Sequence, residues 1–238
     1  MPYYSRTQFS IGGPLAPRVK FLMIVCVVGF LLLKVVENTA YGRAFYGIFG
    51  LVPHLFWHKF FVWQLVTYIF LHGGFWHLFF NLFALWIFGS EIERYMGSSR
   101  FTQYFFITAI GAGICTVLFT PGLRIPVVGA SGGIYGLLLA YAWFFPERYI
   151  YVWFMFPMKA KYFVLLFGAI EFWSSLRGTG SGIAHLAHLG GILFGLLYFN
   201  YYRIWKWLYY AYLKLKYRNM GGGPKDSDKD RWDGWGRA

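Results

Sequence analysis

Long apolar runs separated by short polar stretches set the pattern of this chain. They lie at about residues 21–37, 74–90, 101–119, 131–145, 162–176 and 183–200. At ~1.5 Å per helical residue, each is long enough, or nearly so, to cross a bilayer core of about 30 Å. The pattern predicts an all-α membrane protein with six spanning helices. The first run, FLMIVCVVGFLLLKVV, follows Arg18 and Lys20. It is expected to be a retained anchor, because no small-x-small cleavage site follows it, with Lys34 snorkelling to the interface.

Composition agrees. Hydrophobic residues make up 58% and aromatics 24%, while charged residues reach only 13%, about half the share usual in soluble domains. A water-soluble globule is excluded. The net charge of +13 does not indicate nucleic acid, because most cations flank apolar runs and so face membrane lipids. Six helices place the amino terminus, the loops near 91–100 and 146–161, and the carboxyl tail on one side. That side holds Arg94, Arg100, Arg148, Lys159, Lys161 and nine tail cations, against Lys34, Arg43, Lys59, Arg124 and Arg177 opposite. Both termini are therefore expected in the cytoplasm, and a bacterial cytoplasmic membrane is the expected location. Cys26 and Cys115 fall inside apolar runs, so no disulfide framework or CxxC metal site is available.

Four regions follow: a cytoplasmic segment at 1–20, the membrane domain at 21–200, a basic aromatic segment at 201–219 and a polar, Gly-rich tail at 220–238. The 201–219 stretch suits a helix lying in the headgroup layer, or equally a continuation of the sixth helix. The tail is expected to be disordered.

Polar side chains at membrane depth are costly unless paired or facing water, so each one is a functional candidate. His77 and Asn81 are four apart on one face of the second helix, where interhelical hydrogen bonding is the simpler reading. Gly129, Ala130, Ser131 and Gly132 deliver a serine to the start of the fourth helix, where it could be a plain N-cap. His185 and His188 open the sixth helix as possible metal ligands, or as a base with an interfacial neighbour. Under the six-helix threading all three sets share one depth in the outer half. The fourth helix is only ~22 Å long, so the preceding loop is expected to dip into the membrane beside a wet cavity. Small residues at Gly132, Gly136 and Ala140, and at Ala187, Gly191 and Gly195, predict close packing of the fourth and sixth helices. That contact would bring Ser131 to His188.

A serine hydroxyl needs a base, and a tetrahedral oxyanion needs fixed donors. His188 fits the base and His185 is the other candidate. Every Asp lies in the tail, so the expected unit is a Ser-His dyad, with no metal and no cofactor. HExxH is absent, which counts against a zinc protease. The chain resembles the rhomboid intramembrane serine proteases through WQLVTYIFLHGGFWHLFFN at 63–81, GASGGIYG at 129–136 and AHLGGILFG at 187–195. The resemblance covers roughly residues 20–200 and implies a six-helix bundle that cuts transmembrane segments of single-pass proteins. It implies Ser131 as nucleophile, His188 as base, His77 and Asn81 as oxyanion donors with the Ser131 amide, and Tyr135 packed on the His188 ring. Glu93 and Gly97 match the family's structural turn after the second helix. Gln64 departs from the family's Trp-Arg at 63–64 and puts the polar anchoring of the first outer loop in doubt. His72 is expected to hydrogen-bond locally, His54 and His58 to belong to the outer loop, and Glu171 to pair with Arg177 or gate lateral access. The rival reading is a transporter or metal-handling protein using His77, His185 and His188, although neither an inverted repeat nor a continuing polar path is visible.

Overall fold

The computed structural model describes residues 13–152, 155–176 and 182–218. The first twelve residues, Arg177 and the tail from 219 onward, with the expectations attached to them, lie outside that set. Each apolar run falls in a helix: α1 (Pro17–Glu37), the pair α5 (Phe75–Ala84) and α6 (Ser90–Met96) joined by one wide turn, α7 (Ser98–Phe119), α8 (Ser131–Phe144), α9 (Ala160–Leu176) and α10 (Gly182–Arg218). Among the described residues, Pro17–Glu37, Phe75–Met96 and Ser98–Phe119 are long and apolar enough to cross a membrane. α8 has 14 residues, about 21 Å. Three short helices, α2 (Gly42–Phe49), α3 (Pro53–Lys59) and α4 (Gln64–Thr67), follow α1.

The centre of the bundle is the trio α7, α8 and α10, which pack extensively on one another. α7 buries 61% of its most apolar window against 22% for α1, so α1 sits at the periphery with Phe21, Leu31 and Val35 facing outward. α5 likewise exposes Phe75, Trp76 and Phe80, a surface suited to lipid. Within this trio α7 and α8 show no single polar face, as expected of helices surrounded by other helices.

Polar side chains fasten the ends. α1 begins at Pro17 with no capping residue of its own. The buried Glu93 carboxylate of α6 replaces a cap, accepting from Arg18 N at 3.0 Å, Val19 N at 2.9 Å and Ser98 Oγ at 2.6 Å. α6 then ends at Gly97 with φ +80°, a backbone conformation that L side chains rarely adopt.

Gln64 settles the doubt about the outer loop. It is fully buried; its Oε1 accepts from Val52 N at 2.9 Å and its Nε2 donates to Gly47 O at 2.6 Å. A neutral amide, with one acceptor and two donors, thus ties α4 to the backbone around α2 and α3. Trp63 Nε1 adds a bond to Ile48 O at 2.8 Å.

One feature departs from expectation, and another matches the second of the two alternatives for 201–219. The loop at 146–161 contains an antiparallel hairpin, β1 (Tyr149–Val152) with β2 (Phe156–Lys159), clasped by Lys159 Nζ donating to Glu147 Oε2 at 2.8 Å. α10 runs unbroken to Arg218, so 201–218 continues the sixth helix instead of forming a separate element. At 37 residues this helix is ~55 Å long, well beyond the thickness of a hydrocarbon core.

Glu93→Ala should strand the backbone N–H groups of Arg18, which is part-buried, and Val19, which is buried. We expect a loss of about 2–3 kcal/mol, measured as a lower unfolding midpoint in detergent, while Ser98→Ala should cost less. An unchanged midpoint for Glu93→Ala would show that α1 is held by its apolar contacts alone.

Candidate active site

The segment leading into α8 is irregular backbone held in register by the outer loop. Leu51 and Val127 form an antiparallel bridge, with N–H to O distances of 2.9 and 2.8 Å, and Gly129 N donates to Tyr68 O at 2.9 Å. Gly129 has φ +126°, and a Cβ there would stand 2.7 Å from His77 Nε2. Both constraints demand glycine. The chain then turns through Ala130 into α8, whose first residue is Ser131.

Ser131 is not an N-cap. Ala130 holds that position and no side chain caps the helix. Instead, Ser131 Oγ lies 2.8 Å from His188 Nε2. The Tyr135 ring, one turn further along α8, stacks on the His188 imidazole at 4.2 Å between centroids and 12° between planes. The two helices meet where backbone approaches backbone. A Cβ on Gly191 would lie 1.9 Å from Gly132 O, so α10 can approach α8 only with glycine there. The remainder of the α8 stripe behaves differently: Gly132 faces Ala112 and Gly136 faces Thr108, both of α7. The small residues of α8 therefore admit α7 as well as α10.

A cavity of about 190 Å³ opens beside the serine, lined among others by Tyr68, His77, Ser131, Gly132, Ala187 and His188. The first amides of α8 have no carbonyl one turn earlier to bond, and His77 faces the same space. Asn81 does not line it. Its Nδ2 donates to His77 O at 2.7 Å within its own helix, so in this structure Asn81 braces the backbone that carries His77.

His72 is fully buried, and neither ring nitrogen makes a hydrogen bond of good geometry. It packs edge-on against His77 at 5.1 Å and interacts locally with the Phe70 backbone, two residues earlier. In α3 the His54 and His58 rings lie 4.1 Å apart between centroids, tilted by 31°.

Glu171, for which the sequence suggested a partner in Arg177 or a gate for lateral access, lies against His188. It is 6% exposed, accepts a hydrogen bond from Tyr135 OH, pairs with His185 Nδ1 and brings Oε1 within 3.0 Å of His188 Nδ1. The pairing with Arg177 expected from the sequence lies outside the described residues. The signal was available as a lone carboxylate inside the run KYFVLLFGAIEFWSSL, which at membrane depth calls for a partner. Glu171, His185 and His188 each offer a donor atom within 4.8 Å of the others, a spacing compatible with a metal ion. His77 stands outside that group, so the His77, His185 and His188 ligand set is not assembled. Tyr135 and His185 engage both Glu171 oxygens, which satisfies the carboxylate with no ion.

These features define a helical integral membrane protein whose core holds a serine hydrogen-bonded to a histidine beside a cavity. The sequence profile of the Rhomboid domain matches residues 59–204, more than half of the chain, and the protein belongs to the rhomboid family. It is 31% identical over 140 residues to Rhomboid protein 1, mitochondrial, of Saccharomyces cerevisiae, covering 54% of this chain and 38% of that protein. It is 28% identical over 199 residues to Rhomboid protease GlpG of Serratia proteamaculans, covering 82% and 64%. With Rhomboid protease GluP of Bacillus subtilis it shares 43% identity over 76 residues, covering 32% and 14%. The chain thus spans less than two thirds of the length of these relatives.

Because a Cβ at Gly191 meets the Gly132 carbonyl, Gly191→Ala should push α10 from α8 and lengthen the Ser131–His188 contact. The expected results are a loss of about 1–3 kcal/mol from overpacking and slower reaction of Ser131 with a fluorophosphonate. Gly168→Ala serves as control, since its nearest neighbour would be 3.7 Å away. Equal behaviour of the two variants would refute the assigned contact.

Proposed function

We propose that this protein is an intramembrane serine endopeptidase, in which Ser131 attacks a peptide carbonyl and His188 takes its proton. The observation that carries this reading is the 2.8 Å contact between Ser131 Oγ and His188 Nε2 beside a cavity. The printed names of the GlpG and GluP relatives favour the same activity. The Ser131 amide and His77 are the proposed oxyanion donors. Gly129 and Ala130 shape that corner, Asn81 braces His77, and Tyr135 fixes the imidazole plane. The oxyanion forms where water is scarce, so each fixed donor acts strongly.

The reading includes six spanning helices with both termini cytoplasmic, in a bacterial cytoplasmic membrane. Ser131 then lies in the outer half. Its substrates are single-pass proteins. A spanning helix buries its carbonyls in i to i−4 hydrogen bonds, so a substrate must unwind before its backbone can be attacked. Gly and Pro lower that cost, and the closely packed helices that frame Ser131 leave little room for bulk. Cleavage is therefore assigned to the external end of the segment, after a small residue such as Ala, with helix breakers following.

Ser131→Ala and His188→Ala should each abolish hydrolysis of a model single-pass substrate in liposomes while the protein stays folded. His77→Ala should lower turnover by about 10²- to 10³-fold. A chelator should leave the rate unchanged. Hydrolysis that survives Ser131→Ala, or that is lost to a chelator and restored by zinc, would favour a metal site instead.

Cysteine labelling should place residues 38–73 outside and the tail inside, and mass spectrometry of products should place the cut in the outer half of the substrate segment. Replacing the small residue by Phe or the helix breakers by Leu should slow the reaction. Cuts at the cytoplasmic end, or rates indifferent to both changes, would overturn this account of topology and substrate choice.

A further inference from the structure

A histidine that accepts a proton at Nε2 must carry its own proton at Nδ1, because neutral imidazole has one donor and one acceptor nitrogen. In this protein the Nδ1 atom of His188 is buried and makes no aligned hydrogen bond. The carboxylate oxygen beside it is Oε1 of Glu171, at 3.0 Å. Among the described residues, the other ionisable groups around the ring are Tyr135, stacked on it from α8, His185, one turn before it on α10, and His77 across the cavity. None of these three supplies a carboxylate.

The surroundings of Glu171 are built to hold it there. α9 turns Leu165, Ile170, Phe172 and Trp173 outward, and Ala160 and Glu171 are its buried residues. A helix that is otherwise lipid-facing thus directs one acidic side chain at the site. A buried carboxylate is costly unless its oxygens are satisfied, and here Tyr135 OH and His185 Nδ1 satisfy them. Tyr135 therefore both stacks on the His188 ring and donates to the carboxylate beside it, which couples the orientation of the two groups.

We propose that Glu171 is a positioning residue that completes a Ser131–His188–Glu171 triad. It selects the His188 tautomer with Nδ1 protonated and Nε2 free to accept from Ser131 Oγ. When Ser131 attacks, its proton passes to Nε2, the Oγ–carbonyl bond forms, and the imidazolium that results stands beside the Glu171 carboxylate. The oxyanion then collapses, the C–N bond breaks as Nε2 gives its proton to the departing amine, and water later hydrolyses the acyl ester left on Ser131 through the same base, while Glu171 stays ionised throughout. The present 3.0 Å approach lacks the alignment of a formed hydrogen bond, and catalytic contacts commonly tighten only with substrate bound. This inference rests on the serine protease reading above.

The test compares wild type with Glu171→Gln and Glu171→Asp in liposomes. Gln keeps the size and the acceptor for Tyr135 but removes the charge. Glu171→Gln should lower kcat on the order of 10²-fold or more, with KM nearly constant, because a group that acts through the base contributes chiefly in the transition state. Reaction of Ser131 with a fluorophosphonate should slow in parallel, since it uses the same base but requires no unwinding of a substrate helix. Glu171→Asp, which keeps the charge, should recover part of both rates. The unfolding midpoint of Glu171→Gln should stay near wild type. A Gln variant with wild-type kcat and labelling would overturn the triad while leaving the Ser131–His188 reading intact. So would rates that follow the unfolding midpoint across both variants. A wild-type protein that neither hydrolyses substrate nor labels at Ser131 would overturn both.

Discussion

The close approach of α8 and α10 at Gly132 and Gly191 is the constraint from which the rest of the site follows. No side chain fits between the Gly191 Cα and the Gly132 carbonyl, so the helix axes lie nearer than apolar side chains would permit. Helices in lipid gain little from hydrophobic association and rely on such backbone proximity and on hydrogen bonds. One residue from Gly132 stands Ser131, and one turn before Gly191 stands His188 on the same helix. Their 2.8 Å contact is thus inherited from the packing. A flexible serine and histidine would otherwise have to find each other at an entropic cost.

The second constraint is that polar groups removed from water need partners. Three buried polar side chains meet it in different ways. Glu93 binds the amide groups at the start of α1 and the Ser98 hydroxyl, so its charge holds helix ends together. Gln64 does similar work without charge, matching one acceptor and two donors to backbone groups of the outer loop. Glu171 is different in that its partners are side chains of the site itself, Tyr135, His185 and His188. A carboxylate needed only for architecture could have been satisfied by backbone N–H groups, as Glu93 is.

Much of this was legible in the sequence because hydrophobic period and depth are one-dimensional properties. The apolar runs mark the helices, and the position of His77, Ser131 and His188 along their runs marks a shared level in the membrane. Which neighbour a face meets is not one-dimensional. The stripe on α8 announces a close contact, yet Gly136 receives Thr108 of α7 and nothing in the spacing distinguishes that helix from α10. Asn81 shares a helix face with His77, but its amide is near enough to its own backbone to bond there, which spacing alone does not reveal. The β1–β2 hairpin was hidden by the aromatic content of YIYVWFMFPMK, which reads as part of a generally apolar chain. Glu171 stood out as a lone acid in an apolar run, but which side chains it meets depends on how α9 faces α8 and α10, and spacing along one run does not give that.

The short α8 explains why so much structure precedes it. A helix of about 21 Å is shorter than a ~30 Å hydrocarbon core, and the backbone leading to Ser131 is irregular, with little regular hydrogen bonding of its own. Its polar groups are met by the outer loop: Val127 by Leu51, and Gly129 by the Tyr68 carbonyl. Leu51 can serve only if its own segment is fixed, and that is what Gln64 does by grasping Gly47 and Val52 on either side. The chain of dependence therefore runs from a buried amide far from the chemistry, through one bridge between two loops, to Gly129 and the positive φ that turns the backbone past His77 into Ser131. In place of the arginine expected there, a neutral side chain with the right donors and acceptors carries this load, because the groups to be held are carbonyls and an amide and none of them requires a charge.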